Sequence, residues 1–117
     1  MALAAGLGPV WRKTVVLTIT EFGRTVAMNG TGGSDHGTAS VALLLGGAVA
    51  GGRVVGTWPG LAADRLYQAR DLAPTTDLRA VAKAVLVGHL GLKPADVERV
   101  VFPDSAGVAG SPQLLRA

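Results

Sequence analysis

The sequence contains no cysteine, so disulfide bonds, thiolate metal ligands and a thiol nucleophile are excluded, while the compartment stays open. Aromatic residues make up 4% of the chain, too few for the stacking platforms that hold single-stranded nucleic acid. Charged residues are sparse at 16%, and the eleven Lys and Arg against eight Asp and Glu alternate in sign, as in Asp64/Arg65, Arg70/Asp71 and Asp96/Glu98/Arg99. That pattern builds no basic face, and no nucleic-acid partner is expected.

Long apolar runs are missing too. The longest uncharged stretch, Gly37 to Gly52, has sixteen residues of which five are glycine, shorter and looser than a bilayer-spanning helix requires, so no membrane span is expected. The opening MALAAGLGPVWRK puts its basic residues after the apolar part, the reverse of a secretory signal. Neither a GxSxG elbow nor paired carboxylates at helical spacing occurs, so no self-contained hydrolytic triad and no catalytic nucleophile are expected in this chain. Nothing resembles an organic-cofactor fingerprint.

What is present is a chain of 117 residues, 49% of them hydrophobic, the size of one small domain (1–117) that buries roughly two-thirds of its unfolded surface. LAAGLGPVWRK spaces Leu3, Leu7 and Val10 as in a helix but interrupts them with Gly6, Gly8 and Pro9, which predicts a short helix ending near Trp11. TVVLTIT, residues 14–20, is β-branched at six of seven positions and predicts a strand buried on both faces of a largely parallel sheet. ASVALLLGG (39–47) predicts a second strand and RVVG (53–56) a short third.

Residues 57–75 read as a surface connection with one helical turn around Ala62 to Tyr67. TTDLRAVAKAVLVGHLG is the strongest helix: Thr76 suits the N-cap, Asp77 the positive end of the dipole, Leu78, Val81, Ala82, Val85, Leu86 and Leu90 form one stripe, and Gly91 ends it. His89 lies at the edge of that stripe, and Lys93 to Val97 start a further short helix. The small residues of SAGVAGSPQLLRA predict a flexible tail over 104–117. Two or three strands and one strong helix belong to an α/β architecture, a layered sheet with flanking helices, yet cannot cover both faces of a parallel sheet. An incomplete layer of this kind exposes sheet edges and apolar faces, and association through them is expected.

The chemistry-bearing residues crowd into TITEFGRTVAMNGTGGSDHGTAS, residues 18–40. Glu21 stands just beyond the first strand, where open α/β sheets place ligands. Glu21, Asp35 and His36 offer oxygen and nitrogen donors suited to a divalent ion such as zinc, manganese, calcium or magnesium. Spacing leaves a second reading open, a structural loop in which Asp35 caps and His36 bonds the backbone, because adjacent residues on extended chain point apart. Arg24 has two readings as well: a bidentate clamp on phosphate or sulfate, or a loop-ordering partner of Glu21. NGTGG lacks the lysine and following helix of a phosphate-binding loop, so its glycines read as flexibility.

Taken together, VVLTITEFGRT, NGTGGSDHGTAS, LLLGGAVAGGRVVG and TTDLRAVAKAVLVGHLGL resemble the C-terminal part of the bacterial domain-of-unknown-function family 1501, over about Leu7 to Phe102. Members are similar in fold to the alkaline phosphatase and sulfatase superfamily. The resemblance implies a partial alkaline-phosphatase-like layer, a metal-dependent hydrolase scaffold acting on small anionic esters, and export to the periplasm. It puts Glu21 where the superfamily has an Asp-His pair, and His36 where it has a lone ligand histidine ahead of a strand. Phe22 stands in place of a ligand histidine, with Asp35 as a substitute donor. The superfamily's nucleophile and first metal-binding acid belong to an N-terminal half, so the resemblance also implies that this chain is a fragment, inactive in isolation.

Overall fold

A computed structural model describes residues 2–116. The chain is mixed α/β and forms two compact units, the first from Met1–Leu17, Leu44–Val55 and Asp77–Ala117, the second from Thr18–Leu43 and Gly56–Thr76. Helix α1 (Ala2–Leu7) tightens into a 3₁₀ stretch at Gly8–Lys13, where Pro9 is tolerated because the first turn of a helix needs no partner for its nitrogen. Four short strands follow: β1 (Val16–Thr18), β2 (Gly23–Arg24), β3 (His36–Gly37) and β4 (Leu43–Leu45). They make two separate ribbons, β1 with β4 and β2 with β3.

Three expectations are corrected here. The strand expected over 14–20 and buried on both faces is confined to β1, with Val16 and Leu17 half-buried and Thr18 exposed, because a two-stranded ribbon has no further layers to cover it. RVVG at 53–56 forms no strand. Val54 is fully exposed there, and Arg53 folds back so that Nε donates to the Ala50 carbonyl (3.1 Å) and Nη2 to that of Gln113. The third correction concerns the strong helix.

That helix, α2 (Leu78–Lys83), is capped by Asp77, not Thr76. The Asp77 carboxylate accepts the Arg79 backbone N–H at 2.9 Å and the Arg79 guanidinium at 2.6 Å. A carboxylate reaches an open helical N–H while carrying the charge favoured at that end. Its pKa is lowered first by the Arg79 side chain and then by the Arg79 backbone N–H. The chain widens into a π-helical stretch at Ala84–His89 and stops where Gly91 turns left-handed (φ +68°) and Leu92 N–H donates to the Leu86 carbonyl. The buried line is Ala80, Lys83 and Ala84, whereas Leu78 and Leu90 of the expected stripe are exposed. A lysine inside this line conceals it from any reading based on hydrophobicity.

Helix α3 (Pro94–Asp96) continues as a π-helical turn at Val97–Val101, with Val97 among the most deeply buried residues at 1% exposure. Residues 105–116 then return along the first unit. Ser111 N–H donates to the Ala80 carbonyl, Ala50 N–H to Leu114, and Arg116 N–H to Ala48, while Leu115 bridges Val49. The buried apolar side chains among the described residues, Val49, Ala80, Ala84, Val97 and Leu114, all belong to this unit. No described helix is long and apolar enough to cross a membrane.

Candidate functional site

The glycine-rich stretch read above as one loop folds in the second unit as an antiparallel ribbon. Gly23 faces Gly37 and Arg24 faces His36 across β2 and β3, with Arg24 N–H donating to Ala39 (3.2 Å) and Thr25 N–H to Asp35 (3.1 Å). The facing glycines are required by this approach. A Cβ on Gly23 would overlap the Thr38 and Ala39 backbone, and one on Gly37 the backbone of Arg24. The ribbon therefore lays EFGR directly beside SDHG.

Asn29 shapes the turn between them. Its Oδ1 accepts the backbone N–H groups of Thr31 (3.1 Å) and Gly33 (2.9 Å) and the Thr31 hydroxyl (2.9 Å). Two of the N–H groups of NGTGG thus point at a side chain within the turn, an arrangement typical of asparagine. They are not presented to an outside anion.

The expected site residues lie along this ribbon. Glu21 is exposed just ahead of β2 and forms no ion pair among the described residues. Arg24 donates Nη1 to the Ser34 carbonyl at 3.1 Å, across the ribbon. Asp35 accepts the Asn29 side-chain amide at 2.9 Å, and its own N–H donates to Thr25 Oγ1 at 3.1 Å. His36 is exposed and stacks on Phe22, with ring centroids 4.5 Å apart and 23° between planes.

Successive residues on extended backbone face opposite ways, so Asp35 and His36 serve different faces of the ribbon. His36 falls in register with Arg24, and Asp35 with Thr25. Among the described residues no three His, Asp or Glu side chains are gathered around one point as a metal ion would need. The ribbon brings the two motifs together but does not by itself close a coordination sphere.

Three further residues were not singled out from the sequence. Thr25 bridges Asp71, Val26 N–H donates to Arg70 and Leu72 N–H to Arg24, so residues 70–72 flank the ribbon on its other side. Asp71 is buried at 1% exposure, and its carboxylate accepts Arg70 Nε at 2.7 Å and the Thr38 hydroxyl at 2.9 Å. The Arg70 hydrogen bond, then that from Thr38, holds the Asp71 pKa below the usual carboxylate range against the opposing effect of burial. Asp71 raises the Arg70 pKa in return.

The turn leading into this clamp is strained. Gln68 and Ala69 both sit at positive φ, +51° and +56°, where residues bearing a Cβ are disfavoured. Tyr67 and Asp71 close the turn through N–H donation in both directions. In the sequence, Arg70/Asp71 read only as one of several alternating charge pairs. The clamp depends on long-range pairing that no local spacing reveals.

A mixed α/β chain with a polar ribbon exposing carboxylate, imidazole and guanidinium groups is the class that fold and site define. The chain belongs to the family described as "Protein of unknown function (DUF1501)", which matches residues 1–101. No curated protein and no solved structure matches it.

Proposed function

We propose that this chain is the C-terminal part of an alkaline-phosphatase-like or sulfatase-like protein whose complete form hydrolyses small phosphate or sulfate esters with the help of a divalent metal. The observation that carries the reading is the β2–β3 register, which sets Arg24 opposite His36 and so lays EFGR beside SDHG. In this reading Glu21, Asp35 and His36 form one edge of the metal site, and Arg24 orders the loop or meets the anion. The donors fit an edge and not a closed site, since no three of them converge among the described residues. No catalytic step is assigned to them.

Calorimetric titration with zinc and with manganese tests the assignment. The natural chain should bind more tightly than His36→Ala and Glu21→Ala, and equal weak binding in all three would contradict it. The isolated chain should not turn over generic phosphate or sulfate esters, and robust turnover would overturn the missing-nucleophile reading.

A second reading, a noncatalytic metal-binding or structural module on the same scaffold, is favoured by the Phe22–His36 stack. Phe22 replaces a ligand histidine in that resemblance and covers one face of the remaining imidazole. Phe22→His separates the two readings: a gain of metal affinity supports a weakened hydrolase site, and no gain supports the module. Either form would associate through apolar surface, which Val41 and Trp58, 70% and 69% exposed, supply in the second unit.

A further inference from the structure

The segment 105–116 is held in the first unit by main-chain hydrogen bonds, by the buried Leu114 side chain and by Arg116, whose Nε donates to the Val49 carbonyl at 2.9 Å. Its N–H and carbonyl groups bond residues 48, 50 and 80, and Leu115 pairs with Val49 as a strand would. Lys83 latches it. This buried ammonium donates to the Ser105 carbonyl at 2.5 Å, the Val108 carbonyl at 2.8 Å and Glu98 Oε1 at 3.1 Å, which uses all three of its protons. Backbone recognition of this kind accepts the same segment from any copy of the chain.

The joint before the strap is short and strained. Phe102 leaves helical geometry (φ −129°, ψ 75°), Pro103 has no N–H with which to extend the helix, and Asp104 sits at φ +58°. The Ser105 hydroxyl, bonded to the Phe102 carbonyl at 2.6 Å, holds the joint closed. Beneath the strap, packing is incomplete: Val87, Val97, Val108 and Leu115 are among the residues lining an open cleft of about 430 Å³. The family match ends at residue 101, immediately before this joint.

We infer that residues 105–116 form an exchangeable strap, which opens at Phe102–Asp104 and docks on the 48–50 edge and Lys83 of a second copy, giving a strap-swapped dimer. The strap's contacts with residues 48–50, Ala80 and Lys83 are reproduced in the dimer; the Ser105–Phe102 bond is given up at each joint, and the left-handed strain at Asp104 is relieved there. Short strained joints favour this exchange over closure, and swapping is an inexpensive route to a symmetric dimer. The occupant of the groove is therefore the strap itself, donated by its own chain when dilute and by its partner when concentrated.

The absence of native cysteine makes the test direct. Val49→Cys and Leu115→Cys, placed in separate chains, are unfolded, mixed, refolded at high protein concentration and oxidised. A disulfide-linked heterodimer is expected, because swapping alone brings position 49 of one chain against position 115 of the other. The same variants refolded separately at low concentration and then mixed should give far less. Equal yields from the two procedures would overturn the proposal.

Both substitutions in one chain, refolded dilute, should form an internal disulfide and so report that the altered groove still folds. A second arm needs no cysteine. Asp104→Gly relieves the strain in the closed form and should lower dimer formation about ten-fold by light scattering of the concentrated, refolded chain. An unchanged dimer fraction, or a monomer throughout for the natural chain, would contradict the exchange.

Discussion

The two units of this chain are held by different physics. In the first, Val49, Ala80, Ala84, Val97 and Leu114 are buried, and so is Lys83, whose charge is matched by a carboxylate and two carbonyls. In the second, no large apolar side chain is fully buried among the described residues, and the deeply buried groups are Gly23 and Asp71. Facing glycines, an asparagine-organised turn and the Arg70–Asp71–Thr38 clamp give that unit its shape. Order built from hydrogen bonds over little buried apolar area is low in local stability, as binding and catalytic loops commonly are. The unit with the weaker core is the one that carries the candidate site.

The largest effect should come from removing the latch of the first unit. Lys83→Met leaves Glu98 and two carbonyls without their shared donor, and the cost is about 2–4 kcal/mol, moderated because Glu98 is partly exposed. Denaturant unfolding checks the magnitude. Amide exchange checks its location: protection should fall throughout 78–116 while the β2–β3 amides keep theirs. Loss spread evenly over both units would break the comparison.

A smaller effect, about 1–3 kcal/mol, is expected for Gly37→Ala, whose Cβ would press on the Arg24 backbone. Here exchange should accelerate at Arg24 and Thr25, leaving the first unit protected. Asp71 gives the gentlest test. Its folded pKa lies below the unfolded value near 3.8, so its contribution is complete above that value and is lost as pH falls through the folded pKa. Acidification below that value should therefore open the 67–71 turn. Asp71→Asn should remove that acid dependence, and an unchanged acid transition would show that the clamp does not hold the turn.

Much of the first unit was legible in the sequence. Gly91 marks a helix end by local chemistry and Lys93 to Val97 a helix start, and the structure puts a stop and a start near each. Its buried face was hidden because Lys83 interrupts the apolar pattern and is satisfied only by segments distant in sequence, at Glu98, Ser105 and Val108. In the second unit, Glu21, Arg24, Asp35 and His36 could be picked out by residue type. Their pairing could not, because a ribbon built on Gly23 facing Gly37 carries no apolar alternation. Asp71 escaped for the same reason: it is made important by Thr25 and Thr38, far away in sequence.

If the β2–β3 ribbon makes the edge of a divalent-metal site, as proposed, added metal reaches one histidine of the chain and leaves the other alone. His36 and His89 are the two histidines of the chain, so their ring resonances can be followed together while manganese is added. Selective broadening of the His36 ring is expected at low metal concentration, lost in Glu21→Ala, with His89 unaffected. Equal broadening of both rings, or none at His36, would contradict it.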